Sequence, residues 1–217
     1  MKHYLLLLLL FVASANAFGQ FYLGVSAGPN LSFWKWDIKP IQTDVGYEPA
    51  IGGRAAITGA LQINSWITTK AAFGMQLKAN KVNDVLHEDG TPAGPYHEYY
   101  QYLEGSLALE FSPLKKHRNF YLSAGLTYGW LQKAWYRATV SDGGTESTVN
   151  KDKELDYLNK NAPNLDYGIG WRFPLKNGDR LDLQLYAQHN LSALDNSDNV
   201  DAWVRSVLLQ VGYAHRF

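Results

Sequence analysis

Cysteine is absent from the 217-residue chain, which excludes disulfides, thiolate metal sites, cysteine nucleophiles and a lipid-modified N-terminal cysteine. Net charge is missing as well: 20 basic side chains stand against 20 acidic ones. A nucleic-acid partner would need a basic surface, and this balance supplies none. No apolar run reaches the ~18–20 residues of a membrane-spanning helix, and mean hydropathy is −0.27. A bundle of membrane helices is thereby ruled out. What the chain has instead is aromatic and small: 7 Trp, 14 Tyr and 19 Gly. That mixture suits a sheet protein meeting a non-aqueous boundary, and a mass of 24.4 kDa suits one domain.

The first 17 residues read as an address. Lys2 and His3 precede an apolar stretch from Tyr4 to Val12, unbroken leucine from Leu5 to Leu10, and Ala13-Ser14-Ala15-Asn16-Ala17 follows. A short positive start, an apolar core too short to cross a bilayer and a small-residue exit predict a secretory signal peptide over 1–17. The expected mature domain is 18–217.

Beyond it, period-two alternation recurs eight times: Gln20–Phe33, Gly52–Asn64, Trp66–Lys81, Tyr96–Phe111, Asn119–Thr139, Asn164–Pro174, Arg180–Leu191 and Trp203–Phe217. Several segments pass ten residues, longer than usual globular strands and long enough for a tilted strand to cross a bilayer, which takes roughly 9–11. One face of each is large and apolar. Leu165, Tyr167, Ile169, Trp171 and Phe173 oppose Asp166, Gly168, Gly170 and Arg172; Leu181, Leu183 and Leu185 oppose Asp182, Gln184 and Tyr186. A soluble sandwich hides its large apolar groups and shows its charges. Here the second face carries the Gly, Ser, Gln and mixed charges of a crowded polar interior, the pattern of a barrel in lipid.

The connections alternate in length. Asn64-Ser65, residues 112–118 and residues 175–179 make short turns with Pro and Gly, whereas 34–51, 82–95, 140–163 and 192–202 are long. Short turns on the periplasmic side and long loops outside are the habit of outer-membrane barrels, and an even strand count puts both termini in the periplasm. Aromatics gather at strand ends: Phe33, Trp34, Trp36, Tyr99, Tyr100, Trp135, Tyr136 and Trp203 on the outer rim, Phe21, Tyr22, Trp66, Phe111, Phe120, Tyr121, Phe173 and Phe217 on the inner. They are expected to form the two headgroup girdles.

The stretch Tyr100-Gln101-Tyr102-Leu103-Glu104-Gly105-Ser106, continued to Phe111 and then by Phe120-Tyr121-Leu122-Ser123-Ala124-Gly125 after a short turn, resembles the PorT-like outer-membrane β-barrel family. The opening Phe21-Tyr22-Leu23-Gly24 resembles that family's first strand, although Gly105-Ser106 stand where the family usually carries Ile-Pro. The terminal Phe217, with Tyr213, is similar to the C-terminal signal read by the barrel-assembly machinery. The resemblance implies a place in the outer membrane and, most relatives having no assigned activity, not a role. Outer-membrane lipid, the assembly machinery during insertion, and envelope or secretion proteins are the partners it implies.

The charged residues expected inside the cylinder are Arg54, Lys70, Lys78, Glu104, Glu110, Asp166, Arg172, Asp182 and Arg216. An eight-stranded barrel is only wide enough for side chains to fill, so these groups must pair, an unpaired buried charge costing several kcal/mol. They are read as a structural network. His189 and Ser192 raise the rival of a small lipid-modifying hydrolase, but residues three apart on a strand face opposite ways. Asp195-Asn196-Ser197-Asp198-Asn199-Val200-Asp201 lacks the glycine and the glutamate of a calcium loop. Residues 141–161 read as a polar loop with a helical turn near 153–158. The expectation is an eight-stranded antiparallel up-and-down transmembrane β-barrel, all-β, with no catalytic, metal or cofactor site. The rivals are the hydrolase and a narrow passive pore.

Overall fold

Alternating aromatic, β-branched and small residues favour extended chain on a pleated surface, and long strands are what the sequence makes. The computed structural model describes residues 20–38, 47–83, 85–86, 92–93, 95–114, 119–142, 145–152, 158–194 and 200–217. Its elements are β1 (Gln20–Ile38), β2 (Tyr47–Gln62), β3 (Ile67–Val82), β4 (Val85–Leu86), β5 (Pro92–Ala93), β6 (Tyr96–Phe111), β7 (Phe120–Asp142), β8 (Thr145–Asp152), β9 (Asn161–Pro174), β10 (Arg180–Asn190) and β11 (Val200–Arg216). The proposed signal peptide, His87, His117 and residues 195–199 lie outside the described residues.

Eight of these strands close a barrel in the order β1-β2-β3-β6-β7-β9-β10-β11, each antiparallel to its neighbours, with β11 returning to β1. Among the described residues, closure gives each of the eight strands a partner on both sides along its central span, so the wall has no edge strand. The last paired positions bring Tyr22 opposite Arg216, and the Phe217 N–H donates to the Phe21 carbonyl at 3.0 Å. Both ends of the described chain therefore leave from one rim.

Several strand boundaries and two of the long loops differ from expectation: β7 runs to Asp142, β9 begins at Asn161, β11 begins at Val200, and β4 pairs with β5 within 82–95. β1 continues to Ile38 and β2 starts at Tyr47, so the first long connection shrinks to 39–46. The loop expected over 141–161 holds β8, which pairs with Trp135–Asp142 and carries the β7 wall beyond the barrel. Threonine and valine in Thr145-Glu146-Ser147-Thr148-Val149 favour strand, and a loop reading based on composition overlooks that. The expected helical turn falls mostly on 153–157, outside the described residues.

The polarity of the wall is as expected. Leu107 is 70% exposed, Ile57 61%, Leu109 and Leu126 59% and Val211 56%, all on the outer face, while Arg54, Glu104, Glu110 and Gln210 are buried within. The aromatic girdles need a correction. Tyr22, Tyr100 and Tyr121 are buried inside the barrel, and Trp34 packs inward with its ring 4.7 Å from that of Tyr100. Each has an aromatic neighbour in sequence (Phe21, Tyr99, Phe120, Phe33), and adjacent residues on a strand cannot share a face. One of each pair faces outward and the other fills the interior.

Candidate functional site

The interior is built in layers. In the middle, Arg54 on β2 donates from Nε to Glu104 Oε2 of β6 at 3.0 Å and from Nη1 to the Tyr186 hydroxyl of β10 at 2.7 Å. Thr127 of β7 donates to Asp166 of β9. Lys78 is buried on the other side of this layer, its ammonium 5.3 Å from the Tyr102 ring. One level towards the short turns, Lys70 donates to Gln184 Oε1 at 3.2 Å and lies 3.7 Å from Glu110 Oε1. Arg172 pairs with that same Glu110 and stands 3.9 Å from Asp182. Arg180 closes the layer on Asp182 Oδ2 at 3.2 Å. The guanidinium groups also lie over rings: Arg172 over Tyr121 at 4.3 Å and Arg180 over Tyr22 at 4.2 Å.

Of the charged positions expected inside, all but Arg216 thus lie in these layers. Arg216 is exposed at the rim, its Cδ 3.3 Å from where a Cβ on Gly178 would stand. The barrel wall ends at that level, and a long arginine there reaches water. Gly178 itself takes φ +90°, a left-handed turn position that glycine enters without strain. Arg180 and Tyr186 are network members that the sequence reading leaves out, although strand parity with Asp182 places both on the inner face.

Above the charged layers an apolar cluster packs beside the buried Glu98, which accepts from Asn80 and from the Tyr100 hydroxyl, each at 3.1 Å. Tyr100, Tyr102, Leu131, Ala134, Leu158 and Leu194 pack with Ala162, Ala202 and Val204 in one buried cluster. Leu158 and Leu194 come from the long connections. The Asn159 N–H donates to the Leu194 carbonyl at 2.6 Å, and the Leu194 N–H to the Ala202 carbonyl at 2.8 Å. Two loop ends are thereby folded into the mouth of the barrel. The signal in the sequence is slight: Leu194 in one polar loop, and Leu155, Tyr157 and Leu158 in the other. Below this lid a cavity of about 30 Å³ remains on the axis, lined by Ser26, Thr58, Ser106, Ser123 and Gln210 among others. It holds on the order of two waters.

The inner rim carries a second constellation. Asp179, in the β9–β10 turn, accepts from the Tyr213 hydroxyl, from Asn177 Nδ2 at 2.5 Å and from the Arg216 N–H at 3.1 Å, with His215 Nδ1 2.8 Å away. Both residues expected to form the C-terminal signal lie here. Tyr213 is held by Asp179, and the exposed Phe217 ring lies 6.2 Å from Phe21 and 4.8 Å from His215. The Tyr213 hydroxyl, then the Arg216 amide, hold the Asp179 carboxyl below its ordinary range. A depressed value means that the clamp is complete above the usual aspartate pKa of ~3.9 and is lost as pH falls through the lower folded one. Asp179→Asn is expected to lower the exchange protection of the Arg216 amide (its measured rate set against the intrinsic rate at the same pH) near neutrality, and strong acid to do the same in the native protein. Equal protection in variant and native protein at neutral pH would remove the clamp.

His189 lies opposite Arg205 on one side and Leu165 on the other. Ser192 points elsewhere, its hydroxyl 3.5 Å from the Asn161 carbonyl. The histidine and the serine are not brought together. Among the described residues no three His, Asp or Glu side chains gather as a metal cage would require.

No protein-family model and no curated protein sequence matches the chain. Among solved structures it is similar to a major outer membrane protein from Thermus thermophilus, at TM-score 0.51 and 16% identity, over 91% of this chain and 99% of that one. It is also similar to Neisserial surface protein A (TM-score 0.43, 15% identity, 91% and 97% covered). The outer membrane protein OprG from Pseudomonas aeruginosa gives TM-score 0.46 and 9% identity, with 91% and 96% covered. At these identities the likeness to the Thermus protein bears on the fold, a closed antiparallel barrel, and on nothing finer.

Proposed function

We propose that the chain is a non-enzymatic integral outer-membrane barrel that works as a structural or partner-binding element of the envelope. One observation carries this: the wall's polarity is inverted, with leucine, isoleucine and valine facing out while Arg54, Glu104, Glu110 and Arg172 pair inside. Water gives no reason to expose such a belt, and hydrocarbon does. The mechanism available is rigidity. A filled, ion-paired barrel holds the strand ends and the β7–β8 ladder in fixed positions, where a partner can engage them. Residues 1–17 act as the export signal, both termini stand in the periplasm, and Tyr213 and Phe217 serve the assembly machinery. Membership of the PorT-like group, with secretion or envelope proteins as partners, is the finer form of the same proposal. The lid of Leu158 and Leu194 speaks against a passive pore, and the separation of His189 from Ser192 against a hydrolase.

The test is migration on a gel in detergent. The unboiled protein is expected to run at a different position from the boiled one, because a closed barrel resists the detergent until heated. Identical positions would count against the membrane reading.

A further inference from the structure

We propose that the outer face of β6 and β7, towards the long connections, seats one phosphate-bearing lipid of the adjoining leaflet. The inference rests on the membrane reading above and adds a ligand to it. The register stacks three outward tiers. His97 lies between Lys81 and Arg137, Tyr99 between Ala79 and Trp135, and Gln101 between Leu77 and Lys133. Their strand neighbours Glu98, Tyr100 and Tyr102 are buried, so this set faces away from the axis.

The tiers are ordered by the rings between them. Tyr99 and Trp135 stack at 5.3 Å and 16°. The Arg137 guanidinium lies 5.8 Å from the Tyr99 ring, and the Lys133 ammonium 5.8 Å from that of Trp135. Among the described residues Arg137 spends only Nε on a hydrogen-bond partner, the neutral Asn150 Oδ1 at 3.1 Å, which leaves its outer fork for a two-pronged contact of the kind phosphate accepts. Lys133 meets Asp152 at 3.0 Å, but the two side chains are 54% and 72% exposed. Such a pair is weak and yields to a doubly charged phosphate.

Directly beneath, the wall is apolar and recessed. Leu103 and Trp130 form the next tier, then Gly105 and Tyr128. Below them a shallow apolar depression runs past Ala71, Leu107, Leu109, Ala124 and Leu126. Small residues at 71, 105 and 124 set the floor. A cationic tier at the head of an apolar depression fits a phosphate attached to acyl chains, whereas free phosphate would gain nothing from the depression. Aromatic rings at that boundary mark the level of the headgroups, where each Lys or Arg adds to the attraction for anionic lipid.

The experiment is native mass spectrometry of the full-length barrel from phosphatidylcholine nanodiscs containing phosphatidic acid as the phosphomonoester probe. Phosphatidic acid is expected to be retained over phosphatidylcholine. Lys133→Gln with Arg137→Gln should lower that retention about tenfold, while Lys176→Gln with Arg216→Gln, on the opposite rim, should not. Gly105→Leu fills the depression without touching a charge and should also release the lipid. It is a fair probe because a Cβ there meets only Trp130, at 3.9 Å. Unchanged retention in the Lys133/Arg137 variant would overturn the seat, and so would displacement by inorganic phosphate, which would make it a free-anion site. Heat-dependent migration is read on the same samples. A barrel that inserts but shows no lipid preference sinks the seat alone, and one that never inserts sinks the membrane reading with it.

Discussion

Arg54→Met is expected to lower the unfolding free energy by about 3–5 kcal/mol, the cost of leaving one partner of a buried ion pair alone. The Arg54 and Glu104 side chains are 5% and 1% exposed. Methionine keeps the bulk and removes the donor to Glu104 and to Tyr186. The carboxylate is left against the Gln76 amide, which in its satisfied orientation donates to both oxygens at 2.6 and 2.8 Å. That relieves part of the loss and no more, since the amide carries no charge and the buried Lys78 ammonium is shared with Asp166. Arg54→Met combined with Glu104→Leu is expected to recover most of the stability, because an apolar pair of similar volume needs no desolvated charge. Urea unfolding in detergent micelles measures both. If the single variant unfolds at the native midpoint, water reaches this layer and the filled interior is wrong.

The same layer shows what the sequence discloses and what it withholds. Alternation is a local property, so the faces of Asp166, Arg172 and Asp182 are legible without any knowledge of the neighbours. Which charge meets which is not. Arg172 is ten residues from Asp182 but sixty-two from Glu110, and only barrel closure brings the three together. The adjacent aromatics fail for a different reason. Composition assigns Tyr99 and Tyr100 to the same rim, whereas the pleat sends one outward and the other to the axis. Leu158 and Leu194 read as solvated loop because their role depends on a mouth that exists only after closure. Residues 145–152 read as loop from the charges and glycines around them, and it is the long β7 partner that makes them strand.

The surrounding medium is tested from the outside. Leu107→Arg is expected to cost about 2–4 kcal/mol when the protein folds into lipid vesicles, the penalty for a cation near the middle of a barrel's apolar band. Leu107 is 70% exposed and faces Ala71 and Leu126 across the two ladders, away from both rims. No internal contact of comparable size is lost, so the effect reads the medium and not the packing. Depth supplies the control. Ile63→Arg, at the β2–β3 turn beside the inner interface, is expected to cost only about 0–1 kcal/mol, because the side chain reaches water. Were the molecule a water-soluble barrel, both changes would fall within about 0.5 kcal/mol, as surface substitutions do. A steep difference between the two positions follows only from hydrocarbon at Leu107, and equal small effects would leave the outward leucines without a reason to be there.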